Sequence, residues 1–178
     1  MRSLLAVVVL LSTTAAQTVA QAPPDSLRRD ITRAREMVYP ALVNITVVTR
    51  YYAEGRAQRA PGAGSGVIIT AEGHVLTNYH VAGHSTRIDC VLPDGETMPA
   101  TVVVHDPLTD LSVLKLQTEK RADPKKPIPH AALSDLDKMQ SGDYVIAMGN
   151  PLMLSSSLTL GVVSNPRRVF VSDTRNDI

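Results

Sequence analysis

The chain has a single cysteine, Cys90, no excess of either charge, and no apolar run long enough to cross a bilayer. Each absence excludes something. One thiol cannot form an internal disulfide. Eighteen Lys+Arg against 17 Asp+Glu leave a formal net charge of +1, so nothing electrostatic argues for nucleic acid or an anionic membrane as partner. A membrane-spanning helix needs about 20 apolar residues, and the longest apolar stretch, residues 4–11, is far shorter. There is no internal repeat and no low-complexity tract. What is there suits a folded chain: 178 residues with 44% apolar side chains, enough for a core and for about one domain of roughly 100–200 residues.

The start of the chain is set apart. Met1-Arg2, the apolar residues 4–11 and the small-residue end Thr18-Val19-Ala20 read as a secretory signal peptide over residues 1–20. Its removal takes Arg2 with it and leaves 17 Lys+Arg against 17 Asp+Glu. The expectation is an exported protein, periplasmic or extracellular, where a disulfide would have been permitted had a second cysteine existed.

Residues 21–37 form a leader and a short helix. Leu27, Ile31, Ala34 and Val38 fall on one helical face; Asp25 or Ser26 would cap it and Pro40 end it. Arg28, Arg29, Arg33 and Arg35 read as a solvated face. After Pro40 the signals are for strands. Residues 41–52 are rich in β-branched and aromatic side chains, and residues 54–64 read as a polar loop. Residues 66–69 and 74–77 make a hairpin around a Thr-Ala-Glu-Gly turn. Residues 88–92 and 97–104 make another around Pro93-Asp94-Gly95, and residues 111–116 a further strand. Six short strands with close turns argue for a closed barrel or sandwich. Residues 118–130, TEKRADPKKPIPH, read as a linker or crossover in which Lys120, Arg121, Lys125 and Lys126 are solvated. Strand character resumes at 144–148 and 158–164, on either side of a turn at Gly149-Asn150-Pro151.

Chemistry enters with His80, placed just after a hairpin where a side chain can be presented at a rim, and with Asp110, which abuts the strand 111–116. A carboxylate beside a histidine nitrogen fixes the imidazole tautomer and stabilises the imidazolium formed in proton transfer. Spacing alone does not join two residues thirty apart. The surrounding words do. GSGVII (residues 64–69) and GHVLTNYHV (73–81) resemble the catalytic-histidine region of HtrA/DegP-type trypsin-like serine proteases, and DPLTDLSVLK (106–115) resembles that family's catalytic-aspartate segment. LSD (133–135), GDYVIAMGNP (142–151) and GVVS (161–164) are similar to its following strands, in order, and PALVNI (40–45) to the segment leading into it. The resemblance covers about residues 38–168. Digestive trypsins match less well, since they carry a cysteine where this chain has Val81.

The resemblance implies an all-β, chymotrypsin-like double β-barrel with its site in the cleft between barrels: residues 38–178 as the protease domain, barrel one about 38–117, a crossover at 118–141 and a partial barrel two at 142–178. It implies an exported serine endopeptidase of the quality-control type, acting on unfolded polypeptides, with His80 as general base and Asp110 orienting it. It implies no metal and no organic cofactor. A homo-oligomer, a trimer, of the full-length parent stays open. Asp106 is the rival carboxylate, but its place before Pro107 suits a turn.

One departure matters. The family's nucleophile is a serine in a Gly-Asn-Ser-Gly-Gly-like loop of the second barrel, and no serine after Asp110 has flanking glycines. Such glycines let the backbone turn tightly and aim N–H groups at an oxyanion. Ser65 has glycine neighbours but precedes His80, at a strand start. The expectation is therefore a chain that stops before its nucleophile and is inactive alone. The alternative is a non-catalytic, protease-like module that binds unfolded or partner polypeptides by strand addition. A zinc protease needs a glutamate after the first of two helical histidines; His80-Val81-Ala82-Gly83-His84 lacks it. Cys90, in mid-strand, reads as a small buried thiol rather than a nucleophile, and Asn44-Ile45-Thr46 as a chance match to the glycosylation pattern.

Overall fold

A computed structural model describes residues 23–121, 123–149 and 157–167. The expected signal peptide, the turn at Asn150-Pro151 and residues 168–178 lie outside the described residues. Helix α1, Asp25–Val38, comes first, followed by a 3-10 turn, Tyr39–Ala41, and strand β1, Leu42–Ala53. The four apolar residues named above are the only half-buried positions along α1, and its arginines are exposed as expected. The cap differs from expectation. Pro24 occupies the N-cap with no side-chain hydrogen bond, and Asp25 stands inside the first turn, where its charge still favours the positive end of the helix dipole.

Six strands close a barrel in the order β1-β2-β3-β6-β5-β4. They are β1, β2 (Arg56–Ile68), β3 (His74–Asn78), β4 (Ser85–Val91), β5 (Thr97–Asp106) and β6 (Leu111–Leu116), with the short helix α2 (Tyr79–Ala82) between β3 and β4. Alternation builds the core. Val43, Ile45 and Val47 of β1, Val75 of β3, Met98 and Ala100 of β5, and Leu114 and Leu116 of β6 all point inward and are buried. Each of the Val, Ile, Leu and Met side chains among them stabilises the fold by roughly 1.5–3 kcal/mol relative to an exposed one. Gly64 has a packing reason: a Cβ there would lie 2.6 Å from Val81 of α2, so the bare backbone lets α2 seat against the barrel.

The expected polar loop at 54–64 is instead most of β2. The pairing of β1 with β2 runs unbroken from Leu42↔Val67 to Ala53↔Arg56. Only Glu54 and Gly55 turn, both at positive φ (51° and 73°), the two-residue geometry whose twist suits a hairpin. Glutamate is not the usual first residue of that turn. Pro61 is tolerated because β3 pairs with β2 only from Gly66 onward, leaving the earlier part of β2 with one neighbour.

The crossover is also more tightly held than its composition implies. Arg121 is not a solvated loop charge. Its side chain is 1% exposed and grips Glu96 through two bonds, Nε to Oε1 at 2.8 Å and Nη2 to Oε2 at 2.7 Å. Lys126 pairs with Asp94 at 2.6 Å, while Lys120 and Lys125 are exposed. The Pro93-Asp94-Gly95 turn thus presents carboxylates that the crossover needs. Ile128 enters the barrel core, and the Ala131 N–H donates to the Ile68 carbonyl at 2.9 Å. Beyond it, β7 (Tyr144–Gly149) and β8 (Ser157–Val162) form a separate two-stranded antiparallel sheet.

Candidate active site

The site lies at the rim where β3 passes into α2 and the β5–β6 turn returns. His80 is the second residue of α2, and Asp110 is the last residue before β6. They meet. His80 Nδ1 stands 2.7 Å from Asp110 Oδ2, and the His80 backbone N–H donates to Oδ1 at 2.9 Å. A carboxylate only accepts, so Nδ1 carries the proton and donates it. The imidazole is thereby fixed with Nε2 outward; among the described residues Nε2 has no hydrogen-bond partner. The His80 side chain is 70% exposed and that of Asp110 44%. The carboxylate is therefore an open one, because only the rim of one barrel surrounds it.

Asp110 is held from several sides. The Tyr79 N–H donates to its carbonyl at 3.0 Å. Asn78 Nδ2 donates to the same carbonyl at 3.1 Å and to Oδ2 at 3.2 Å. The backbone at Asp110 has φ +55°, a left-handed conformation that aspartate tolerates better than most side chains. The His80 backbone N–H above all, then the His80 ring and Asn78, hold the Asp110 carboxyl below the usual carboxylate range. It stays ionised and able to stabilise an imidazolium. Asp106, the rival, is spent on its own turn: Oδ1 accepts from Leu108 N–H at 3.1 Å and Oδ2 from the Thr109 hydroxyl at 2.7 Å.

A proton acceptor aimed outward and backed by an ionised carboxylate is an arrangement able to take a proton from a nucleophile. The sequence profile of the trypsin-like peptidase domain matches residues 64–177. The chain belongs to the trypsin-like peptidase family. Its relatives are of the HtrA/DegP type. It is 34% identical over 153 residues to "Serine protease HTRA2, mitochondrial" of Bos taurus, covering 84% of this chain and 32% of that one. It is 39% identical over 107 residues to a protein of Chlamydia trachomatis serovar D named "Probable periplasmic serine endoprotease DegP-like", covering 60% and 20%. Among solved structures, the HtrA-type protease AlgW with a tripeptide superposes at TM-score 0.62 with 34% identity, covering 75% of this chain and 39% of that one. AlgW with a decapeptide gives 0.61, 30%, 75% and 45%. The chain thus spans a third or less of these curated relatives and under half of the solved chains.

Within this trypsin-like barrel the other sequence candidates take structural places. Ser65 sits in β2 opposite Asn44, and its carbonyl accepts from the Thr77 hydroxyl at 2.8 Å. Cys90 is fully buried, and desolvation, with Asp89 beside it, pushes its thiol up to about 12; it is no nucleophile. His74 bonds Thr70 at 2.8 Å, and His84 leans on Tyr79. No group of three metal-ligating side chains occurs among the described residues. Sequence reasoning missed Asn78 and Tyr79. Nothing local marked either one: Asn78 stands at the start of α2 without capping it, and its amide reaches Asp110, thirty-two residues on. A groove of about 410 Å³ is lined by Asn78 and Leu111, the residues beside His80 and Asp110, together with Leu76, Val67 and Ile146 and Met148 of β7.

Proposed function

We propose that this chain supplies the base-and-carboxylate half of an exported HtrA/DegP-type serine endopeptidase that cleaves unfolded polypeptides through an acyl-enzyme. The observation that carries this reading is the 2.7 Å Nδ1–Oδ2 pair with Nε2 left outward. His80 takes the proton of a serine hydroxyl as that oxygen attacks the scissile carbonyl, and returns it to the leaving amine; Asp110 orients the ring and stabilises its charged form. No serine on the C-terminal side of Asp110 in the sequence stands between glycines. On this reading the attacking oxygen and the oxyanion donors are supplied from outside these 178 residues, and this chain by itself does not turn over substrate. The signal-peptide pattern of residues 1–20 and the periplasmic name of the chlamydial relative support export. The mitochondrial relative supports an organelle instead, and cleavage of residues 1–20 on secretion separates the two. The resemblance leaves a homo-oligomer, such as a trimer, open, and sedimentation of a longer protein containing these residues decides it.

The test uses the purified chain with casein and a serine-directed fluorophosphonate probe. Neither turnover nor labelling is expected, and turnover with covalent labelling would overturn the reading. In a longer protein that joins these residues to a serine-bearing second barrel, His80→Ala or Asp110→Asn should cut casein turnover by roughly 10³- to 10⁴-fold. One observation favours a second reading, a polypeptide-binding module. Strands β7 and β8 pair only with each other among the described residues, which leaves backbone groups for an added strand. Binding of unfolded casein to the chain, lost on charging β8 with Leu160→Lys, would support it.

A further inference from the structure

A polar pair, one member buried and the other half-buried, lies beneath the His80 turn and has no part in the chemistry above. Ser112, on β6 two residues after Asp110, is 1% exposed. Its hydroxyl stands 2.8 Å from His105 Nδ1 of β5. Strand alternation alone would not bring them together. Ala100 points inward, so every second residue after it, Val102 and Val104, would follow and His105 would face solvent. The register shifts between Val102 and Val104, where Val102 pairs with Leu114 but Val104 with Val113. One extra residue reverses the parity, and His105 then faces the interior opposite Ser112.

The His105 ring also meets Tyr79. The two rings make an edge contact with centroids 5.3 Å apart. On its other flank Tyr79 meets His84, with centroids 5.7 Å apart and Oη 3.4 Å from Nε2. Gly83 leaves the space for this ring: a Cβ there would fall 2.3 Å from Tyr79 Cε2. Tyr79 is the first residue of α2, immediately before His80, and its N–H holds the Asp110 carbonyl. Asp110 is joined directly to Ser112 through Leu111. The Ser112–His105–Tyr79 chain therefore ties together the two backbone segments whose relative placement sets the His80–Asp110 distance.

We propose that His105, Ser112 and Tyr79 are positioning residues: the bulge-turned His105, anchored on the Ser112 hydroxyl, forms the wall against which the Tyr79 ring locks the α2 turn and so holds His80 on Asp110. The inference rests on the reading of His80 and Asp110 as a working pair. The titratable groups facing one another at the turn include Asp110 and His80 themselves, Tyr79 of α2, His105 from β5 and His84 just beyond α2.

The test is NMR on the 178-residue chain, which contains all of these residues. It reads the solvent exchange of the His80 Nδ1 proton and the titration of the Asp110 carboxyl carbon. His105→Leu and Tyr79→Leu should each speed exchange by at least about fivefold and move the Asp110 titration up toward the ordinary value of about 3.9. Tyr79→Phe keeps the ring and should change neither. His105→Gln retains an acceptor for Ser112 and should recover part of the loss. Should His105→Leu fail to fold, Tyr79→Leu and His105→Gln still decide. Variants that lower the melting temperature but leave both readouts at wild-type values overturn the inference. Asp110→Asn separates the two levels. If it leaves His80 Nδ1 exchange unchanged, the pair itself is wrong; if it speeds exchange and Tyr79→Leu does not, only the positioning role is lost.

Discussion

The six-stranded barrel and the β7–β8 hairpin are both antiparallel, both rich in Val, Leu and Ile, and yet they stand differently toward water. In the barrel the inward side chains of every strand meet one another: Ile45, Ile68, Val75 and Leu114 are all 0% exposed. In the hairpin Tyr144 is 66%, Val145 37%, Leu160 37% and Val162 58% exposed. Apolar sequence produces burial only where the topology closes on itself. Six strands with turned-in side chains do so, and a two-stranded ribbon is marginal at best in water. The His80–Asp110 pair belongs wholly to the closed part. Its geometry needs β3, α2 and β6, which barrel closure fixes, and nothing from the hairpin.

The largest expected effect tests that contrast directly. Leu114→Ala removes a buried side chain and should cost about 3–4 kcal/mol in urea unfolding, whereas Leu160→Ala in β8 should cost less than about 1 kcal/mol. Equal losses would erase the distinction between the two regions. Next comes the strap that ties the crossover to the barrel. Arg121→Met leaves Glu96 without its two-pronged partner and should cost about 2–3 kcal/mol, less than a fully buried pair because Glu96 keeps some contact with water. The double variant with Glu96→Leu should recover much of it. The smallest effect sharpens the contrast at the site. The Asp110 carboxyl is held below its ordinary value in the fold, so its contribution is fully present above the unfolded pKa of about 3.9 and is lost as pH falls through the lower folded value. Wild type should therefore lose its stability advantage over Asp110→Asn below about pH 4. An advantage unchanged down to pH 2 would mean that the carboxyl is not held as described.

Much of this was legible beforehand, for physical reasons that differ by residue. His80 and Asp110 stand in long, ordered motifs, and the structure brings them within a hydrogen bond of each other. The helical face of Leu27, Ile31, Ala34 and Val38 follows from a 3.6-residue period, and β6 from its apolar alternation. The start of β2 was hidden because Arg, Gln, Pro and Gly are poor strand formers, and pairing with β1 supplies what propensity does not. Arg121 was hidden because nothing near it in sequence names Glu96, twenty-five residues away. The inward turn of His105 was hidden too, since a bulge is a property of two strands rather than one.

The central claim is that the barrel alone holds the imidazole of His80 with Nδ1 protonated toward Asp110 and Nε2 free to accept a proton. Nitrogen-15 NMR of the His80 ring in this 178-residue chain measures it. The account predicts that the Nδ1-protonated tautomer dominates and that Asp110→Asn abolishes this preference. A ring protonated at Nε2, or one indifferent to Asp110→Asn, would contradict it.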